Sequence, residues 1–292
     1  MQNPNYIKTE VFETPDFESA PRFRLTPNVR SEAAERRKME QDLRQALSLD
    51  QLVLYYQPRV SLLDGTRVGA EALIRWPHRK RGLLAPAAFL PIAERTTLIT
   101  RLGGWVLRTA CSEAAHWHDG GVVTVNVSTR QLTDGAILDQ VAEALDVSGL
   151  PPERLELDLT ESMLIQPDVE LLLTLSAIRD LGVGIALDDF GTGYTSLGML
   201  KRAPLTALKI DRSLVRCLPG EGDEGAILRA VVETGHALGL TVVAEGIETE
   251  EQLSFLTAIG CDEGQGFLFS HPLPAANLFP LAGWATPEER AA

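Results

Sequence analysis

Two adjacent aspartates, Asp188 and Asp189, close the apolar run GIALDDF (184–190), and the glycine-containing loop GTGYTS follows at once. Neighbouring side chains on a strand point to opposite faces, so a strand that simply continued would send one carboxylate into the core. A chain that turns at this point lets both face one cavity. Seven other short apolar runs carry a polar residue near their C-terminal ends or, in the second, within the run: Gln57, Glu71, Asn126, Asp158, Lys209, Glu245 and Gln265. A turn or a helix cap accounts for any one of these. Eight such positions, mostly acidic, form a set. Carboxylates crowded into one space repel, and their ionised forms are strongly disfavoured without cations. Carboxylate and amide oxygens are hard ligands and no His or Cys cluster competes, so the implied metal is Mg²⁺ or Mn²⁺. Two adjacent aspartates at a strand end suit a pair of ions. Two-metal sites, with ions roughly 3.5–4 Å apart, are typical of phosphodiester hydrolysis.

The elements that must bring these residues together are legible as an alternation. The apolar runs span 52–57, 68–76, 122–128, 154–160, 184–190, 207–211, 241–247 and 261–269, and between most of them lies a segment with helical period, such as EGAILRAVVETGHALGL. Strand and helix repeated to eight strands predicts an α/β fold, a (β/α)8 barrel whose strand C-termini converge on one face. The link PRVSLLDGTR between the first two runs holds a turn-forming Asp-Gly and no helix, which predicts a hairpin and an antiparallel first strand. Residues 1–30, with four prolines among polar residues, read as an extended or disordered arm. Residues 31–50 read as a helix with Ser31 as N-cap and an apolar stripe of Met39, Leu43 and Leu47, its charged cluster ERRKMEQDLR forming a solvated face. The barrel domain is expected over 51–284.

The formal net charge of −13 argues against duplex nucleic acid or an anionic membrane surface as partner, since basic patches supply most of that affinity. A small polyanion remains compatible if metal ions sit between the charges. Three cysteines without metal-type spacing fit a reduced compartment, and no apolar run approaches a membrane span. A cytoplasmic protein is expected.

The motifs EALIRW (71–76), VNVSTRQL (125–132), TES (160–162), DDFGTGYTSL (188–197), LKID (208–211), AEGIET (244–249) and QGFLFSHPLP (265–274) resemble, in order and spacing, the EAL domain family over roughly residues 35–280. The resemblance implies a cytoplasmic, often dimeric barrel that opens cyclic di-GMP to linear pGpG with two Mg²⁺ or Mn²⁺ ions. By motif match, Glu71, Asn126, Asp158, Asp188, Asp189 and Glu245 fall at metal-ligand positions. Glu71, Lys209 and Glu245 are the catalytic set, with Lys209 at the position that contacts the nucleophilic water. Gln57, Leu73, Arg75 and Gln265 match substrate-holding positions, and the guanidinium fork of Arg75 suits a phosphate. Glu161 matches the glutamate that anchors the loop after the DDF run, and Glu248 a further acidic position.

The sequence departs from the family pattern twice. Asp158 stands where a glutamate is usual, a metal ligand shortened by one methylene, and Thr97 stands where a glycine is usual. Two functions follow: an active phosphodiesterase, or a weak or inactive domain that binds cyclic di-GMP as a receptor and signals to a partner protein through the N-terminal arm. The receptor reading expects several ligands lost or the loop eroded. Here one ligand is altered and the loop motif is intact. An enzyme for another phosphodiester would neither bind nor turn over cyclic di-GMP.

Overall fold

The computed structural model describes residues 27–165, 167–191, 193, 197–218 and 223–278. The chain divides into two units, Met1–Lys38 and Met39–Ala292. Helix α1 (Pro27–Ser48) begins four residues before the expected Ser31, which therefore lies inside the helix and is not its cap. Proline at the start is physically reasonable, because its fixed φ and missing N–H cost nothing there. Residues 1–26 of the expected arm lie outside the described residues, as do residues 279–284 of the expected domain. In the second unit Met39, Leu43 and Ala46 are buried in the core, with Leu47 only partly so. A 3.6-residue period passes through Ala46 before Leu47.

Among the described residues ten strands follow: β1 (Val53–Ser61), β2 (Arg67–His78), β3 (Gly82–Leu84), β4 (Val122–Asn126), β5 (Leu155–Thr160), β6 (Gly184–Phe190), β7 (Ala207–Ile210), β8 (Thr241–Ala244), β9 (Glu263–Gly264) and β10 (Leu273–Pro274). Eight form a closed ring in the order β1, β9, β8, β7, β6, β5, β4, β2, and β2 pairs back onto β1. As the hairpin predicts, β1 is antiparallel to both its ring neighbours, β2 and β9. Every other ring pairing is parallel. The hairpin turn is held by the Asp64 carboxylate, which accepts from the Thr66 N–H at 3.0 Å, and by Gly65 at φ 70°.

The expected strand 261–269 shrinks to two residues, and β3 and β10 are additions that so few residues could not announce by periodicity. The helices are α2 (Leu90–Glu94), α3 (Leu98–Ala114), α4 (Thr129–Thr133), α5 (Ile137–Ser148), α6 (Val169–Asp180), α7 (Leu197–Arg202), α8 (Arg212–Val215), α9 (Glu224–Ala237) and α10 (Glu250–Ala258). Strand β5 shows how the interior is divided. Leu155, Leu157 and Leu159 join the helix-facing core, whereas Glu156 and Asp158 alternate with them and make ion-pair partners across the barrel.

Candidate active site

The polar residues expected at strand ends do converge, and they are organised around one cation. Lys209, on β7 and 1 % exposed, places its ammonium 2.6 Å from Glu245 Oε1, 2.7 Å from Asp158 Oδ2 and 3.7 Å from Asp188 Oδ1. Burial alone would push the lysine pKa down, but Asp158, Glu245 and Asp188 overcome it and hold the ammonium charged, well above its ordinary range.

Around this centre amide donors bridge the remaining carboxylates. Asn126, the last residue of β4, donates to Glu71 Oε1 at 2.6 Å. Gln265, just past β9, donates to Glu71 Oε2 at 2.8 Å and to Glu245 Oε1 at 3.0 Å. Gln57, on β1, donates instead to the carbonyl of Ser270 at 3.2 Å.

The Asp188–Asp189 pair is resolved by a break in the ladder. The β6–β7 register shifts between Leu187 and Phe190, and Asp189 takes φ 57°, in the left-handed region that few residues other than glycine adopt. The break frees the two side chains from strict alternation. Asp188 is buried beside Lys209, its Oδ1 also accepting from the Asp189 N–H at 2.9 Å, while Asp189 is half-buried. The Asp189 carboxyl is pushed above its usual range by burial, then by Asp188 and Asp211.

Excess negative charge dominates the electrostatics. Glu245 is pushed up to about 8, chiefly by burial; Lys209 partly offsets this, and Asp188 and Glu71 push it further up. Asp158 is also raised, again by burial first, despite its lysine partner. Its second oxygen, Oδ1, is buried with no hydrogen-bond partner, and so is Gln265 Oε1. Buried orphan acceptors are rare and costly. Oxygen atoms without donors, among carboxylates with too few cations, have the chemistry of a hard-cation site. Among the described residues no three carboxylates or imidazoles form a ready-made metal cage, because the Lys209 ammonium stands between them.

Three more of the expected residues, Arg75, Leu73 and Glu161, lie on β2 and just past β5. Arg75 lies half-buried on β2, its guanidinium 5.7 Å from the Tyr55 ring, and Leu73 is half-buried on the same face. Glu161, 3 % exposed, accepts from the Gly193 N–H at 2.9 Å and so holds the loop after β6. Of that loop, Thr192, Tyr194, Thr195 and Ser196 lie outside the described residues. Glu71 and Asn126 also line a cavity of about 700 Å³, with Leu73, Ile74 and Pro86 along one wall.

The model of the EAL domain family matches residues 40–272. The chain belongs to the EAL domain family. MucR of Pseudomonas aeruginosa, a bifunctional diguanylate cyclase/cyclic di-GMP phosphodiesterase, is 45% identical over 255 residues, which cover 86% of this chain and 37% of MucR. The cyclic di-GMP phosphodiesterase NbdA of the same organism is 43% identical over 250 residues, covering 84% of this chain and 32% of NbdA. The chain therefore spans about a third of the length of these relatives. The structure of the PaMucR phosphodiesterase in complex with c-di-GMP superposes with a TM-score of 0.79 at 46% identity, covering 83% of this chain and all of that one.

Glu248, the further acidic position, lies just before α10. Glu248 is exposed, and its backbone N–H donates to Gln252 Oε1 at 2.7 Å as part of the capping of α10. Thr97 occupies the N-cap position of α3 without a side-chain cap bond, at φ −72°, a conformation open to any residue, so its departure from glycine needs no compensation. A layer beneath the site went unread. Arg59 Nη1 lies 2.5 Å from Glu156 Oε1 and Arg59 Nε 2.7 Å from Glu263 Oε2, with the Thr124 hydroxyl donating to Glu156 Oε1 at 3.2 Å. The signal was present. Arg59, Glu156 and Glu263 each sit two residues before or after an expected site residue, Gln57, Asp158 or Gln265, and so share its inward face.

Proposed function

We propose that this EAL domain is a metal-dependent phosphodiesterase that hydrolyses cyclic di-GMP to linear pGpG. The observation that carries it is the oxygen-rich cluster around Lys209, with too few cations for its carboxylates and a buried orphan oxygen on Asp158. Glu71, Asn126, Asp158, Asp188, Asp189 and Glu245 would hold two ions. Bound there, Mg²⁺ or Mn²⁺ would lower the pKa of a coordinated water and neutralise charge on the phosphate.

The chain's own residues do the rest. Lys209 spends two of its N–H bonds on Asp158 and Glu245, leaving the third for the attacking water or a phosphate oxygen. Glu245, 2.6 Å from the Lys209 ammonium and ionised once cations offset its neighbours, would accept a proton from that water. Arg75 pairs with a phosphate through its fork, and Gln57, Leu73 and Gln265 position the nucleotide. Glu161 holds the loop that follows the two aspartates.

The catalytic domain is assigned to 51–284, led by α1. The protein works as a cytoplasmic homodimer without duplex nucleic acid. Among the described residues no helix is long and apolar enough to cross a membrane. The second reading, a cyclic di-GMP receptor that signals through the N-terminal arm, draws its support from Asp158 alone. Incubating pure protein with cyclic di-GMP and Mg²⁺ or Mn²⁺ decides between them. Appearance of pGpG supports the enzyme, and tight binding without product supports the receptor.

A further inference from the structure

The chain is acidic, with a net charge of −13, and the site itself is lined by carboxylates, yet the proposed substrate is a dianion. Something on the catalytic face must offset that repulsion during approach. Strand β2 runs parallel to β4, so its C-terminal end emerges at the face where the site lies. It carries Glu71 and Arg75 and then continues past the ring into a hairpin with β3, pairing Trp76 with Leu84 and His78 with Gly82. The tip of that hairpin reads His78-Arg79-Lys80-Arg81.

Arg79, Lys80 and Arg81 are all exposed. Among the described residues none of the three forms an ion pair, unlike Arg59, Arg67 and Lys209. The tip is nonetheless a built structure. His78 Nδ1 accepts from the Lys80 N–H at 3.1 Å, its carbonyl accepts from the Arg81 N–H at 3.2 Å, and its ring packs edge-on to Trp76 at 4.8 Å. Gly82 at φ 71° closes the turn. The hairpin's two feet, Ile74 and Pro86, both line the cavity that Glu71 and Asn126 share. Four residues of extended chain place the tip about 13 Å beyond Arg75.

We propose that Arg79, Lys80 and Arg81 form an electrostatic guide that draws the anionic cyclic dinucleotide to the mouth of the barrel and delivers it towards Arg75. The proposal rests on the phosphodiesterase reading for its ligand. Unpaired charges on a turn whose feet line the cavity concentrate an anion locally even when the whole molecule repels it. The guide acts on approach and leaves the chemistry alone, so it belongs in kcat/KM and in its dependence on salt.

The test compares Arg79→Gln/Lys80→Gln/Arg81→Gln with Lys201→Gln/Arg202→Gln/Arg229→Gln, which removes three exposed charges from outer helices. Two measurements are made across ionic strength: steady-state hydrolysis of cyclic di-GMP, and the association rate of a fluorescent cyclic di-GMP analogue. At about 0.01 M salt, where the Debye length is about 30 Å, the tip variant should lose roughly tenfold in kcat/KM and in association rate with kcat unchanged. Near 1 M salt it should converge on the parent, and the outer-helix variant should follow the parent throughout. A tip variant that tracks the outer-helix variant at every salt concentration overturns the guide. If the parent chain makes no product, the phosphodiesterase reading fails, and the association arm alone still decides the guide.

Discussion

At the scale of single residues the chemistry hangs on how Lys209 and its carboxylates share charge. Asp188→Ala or Asp189→Ala removes an oxygen ligand and also relieves repulsion among buried acids. Hydrolysis should fall by more than about 100-fold while the melting temperature of metal-free protein holds or rises. Retention of full activity, followed as pGpG formation, would remove both residues from the ion site.

Asp158 is the sharper case. Its side chain is about 1.5 Å shorter than a glutamate's, Mg²⁺ tolerates little deviation from ~2.1 Å, and one of its oxygens is already committed to Lys209. Asp158→Glu should lower the metal concentration for half-maximal rate, and the parent should work better with Mn²⁺ than with Mg²⁺. A Mn²⁺ titration without substrate checks the affinity directly. An unchanged or weaker affinity in Asp158→Glu refutes the idea.

Glu245 adds a pH dependence whose sign is fixed by its elevated pKa. From its ordinary 4.5 to about 8 the folded chain holds a proton that the unfolded chain releases. Stability of metal-free protein from this group is therefore fully present below pH 4.5 and declines as pH rises to about 8. Thermal melts across that window should show the decline, and Glu245→Gln should flatten it.

At the scale of elements, strands and loops differ in what holds them. In the loop after β6 the Gly193 N–H donates to the buried Glu161 carboxylate, and a Cβ on Gly193 would meet the Glu161 carboxyl carbon at 3.0 Å. Glu161→Ala should leave that donor unpaired, at a cost of about 1–3 kcal/mol, and weaken turnover through the loop. Calorimetry and product assays separate the two effects. The barrel's lower layer is a different kind of holding. Arg59 is 5 % exposed between Glu156 and Glu263, and it holds Glu156 below its usual range against burial. Arg59→Met should destabilise by about 3–5 kcal/mol, because buried Glu156 and half-buried Glu263 lose their counter-charge. A melting temperature within a degree of the parent would show that the acids protonate at little cost.

For the whole molecule, divalent cations should act as folding ligands as well as catalysts. The described barrel interior sets Glu71, Glu156, Asp158, Asp188, Glu245 and Glu263 against Arg59 and Lys209 alone. Mn²⁺ at a hundredfold excess over its dissociation constant should add about 2.7 kcal/mol, read as a rise in melting temperature that chelator reverses. The first 30 residues, by contrast, bring none of the site residues. A chain starting at Ser31 should keep its rate of pGpG formation, and a folded truncation that lost it would give the arm a part in the site or the dimer.

The sequence by itself determined the barrel, its antiparallel first strand and the residues that meet at its mouth. Period-two and 3.6-residue patterns report which side of an element is buried, and the strand ends follow from where each pattern stops. Pattern carries no information about which groups pair once they meet. Only the tertiary structure decided that Lys209 stands between Asp158 and Glu245, with Gln265 bridging Glu71 and Glu245. It also decided that Asp189 adopts φ 57° at a break in register, and that Glu248 is exposed. Arg59, Glu156 and Glu263 mark the boundary between the two. Their inward face was readable from alternation, but their closure into one ion network depends on the stagger of three strands, which distance in sequence does not encode.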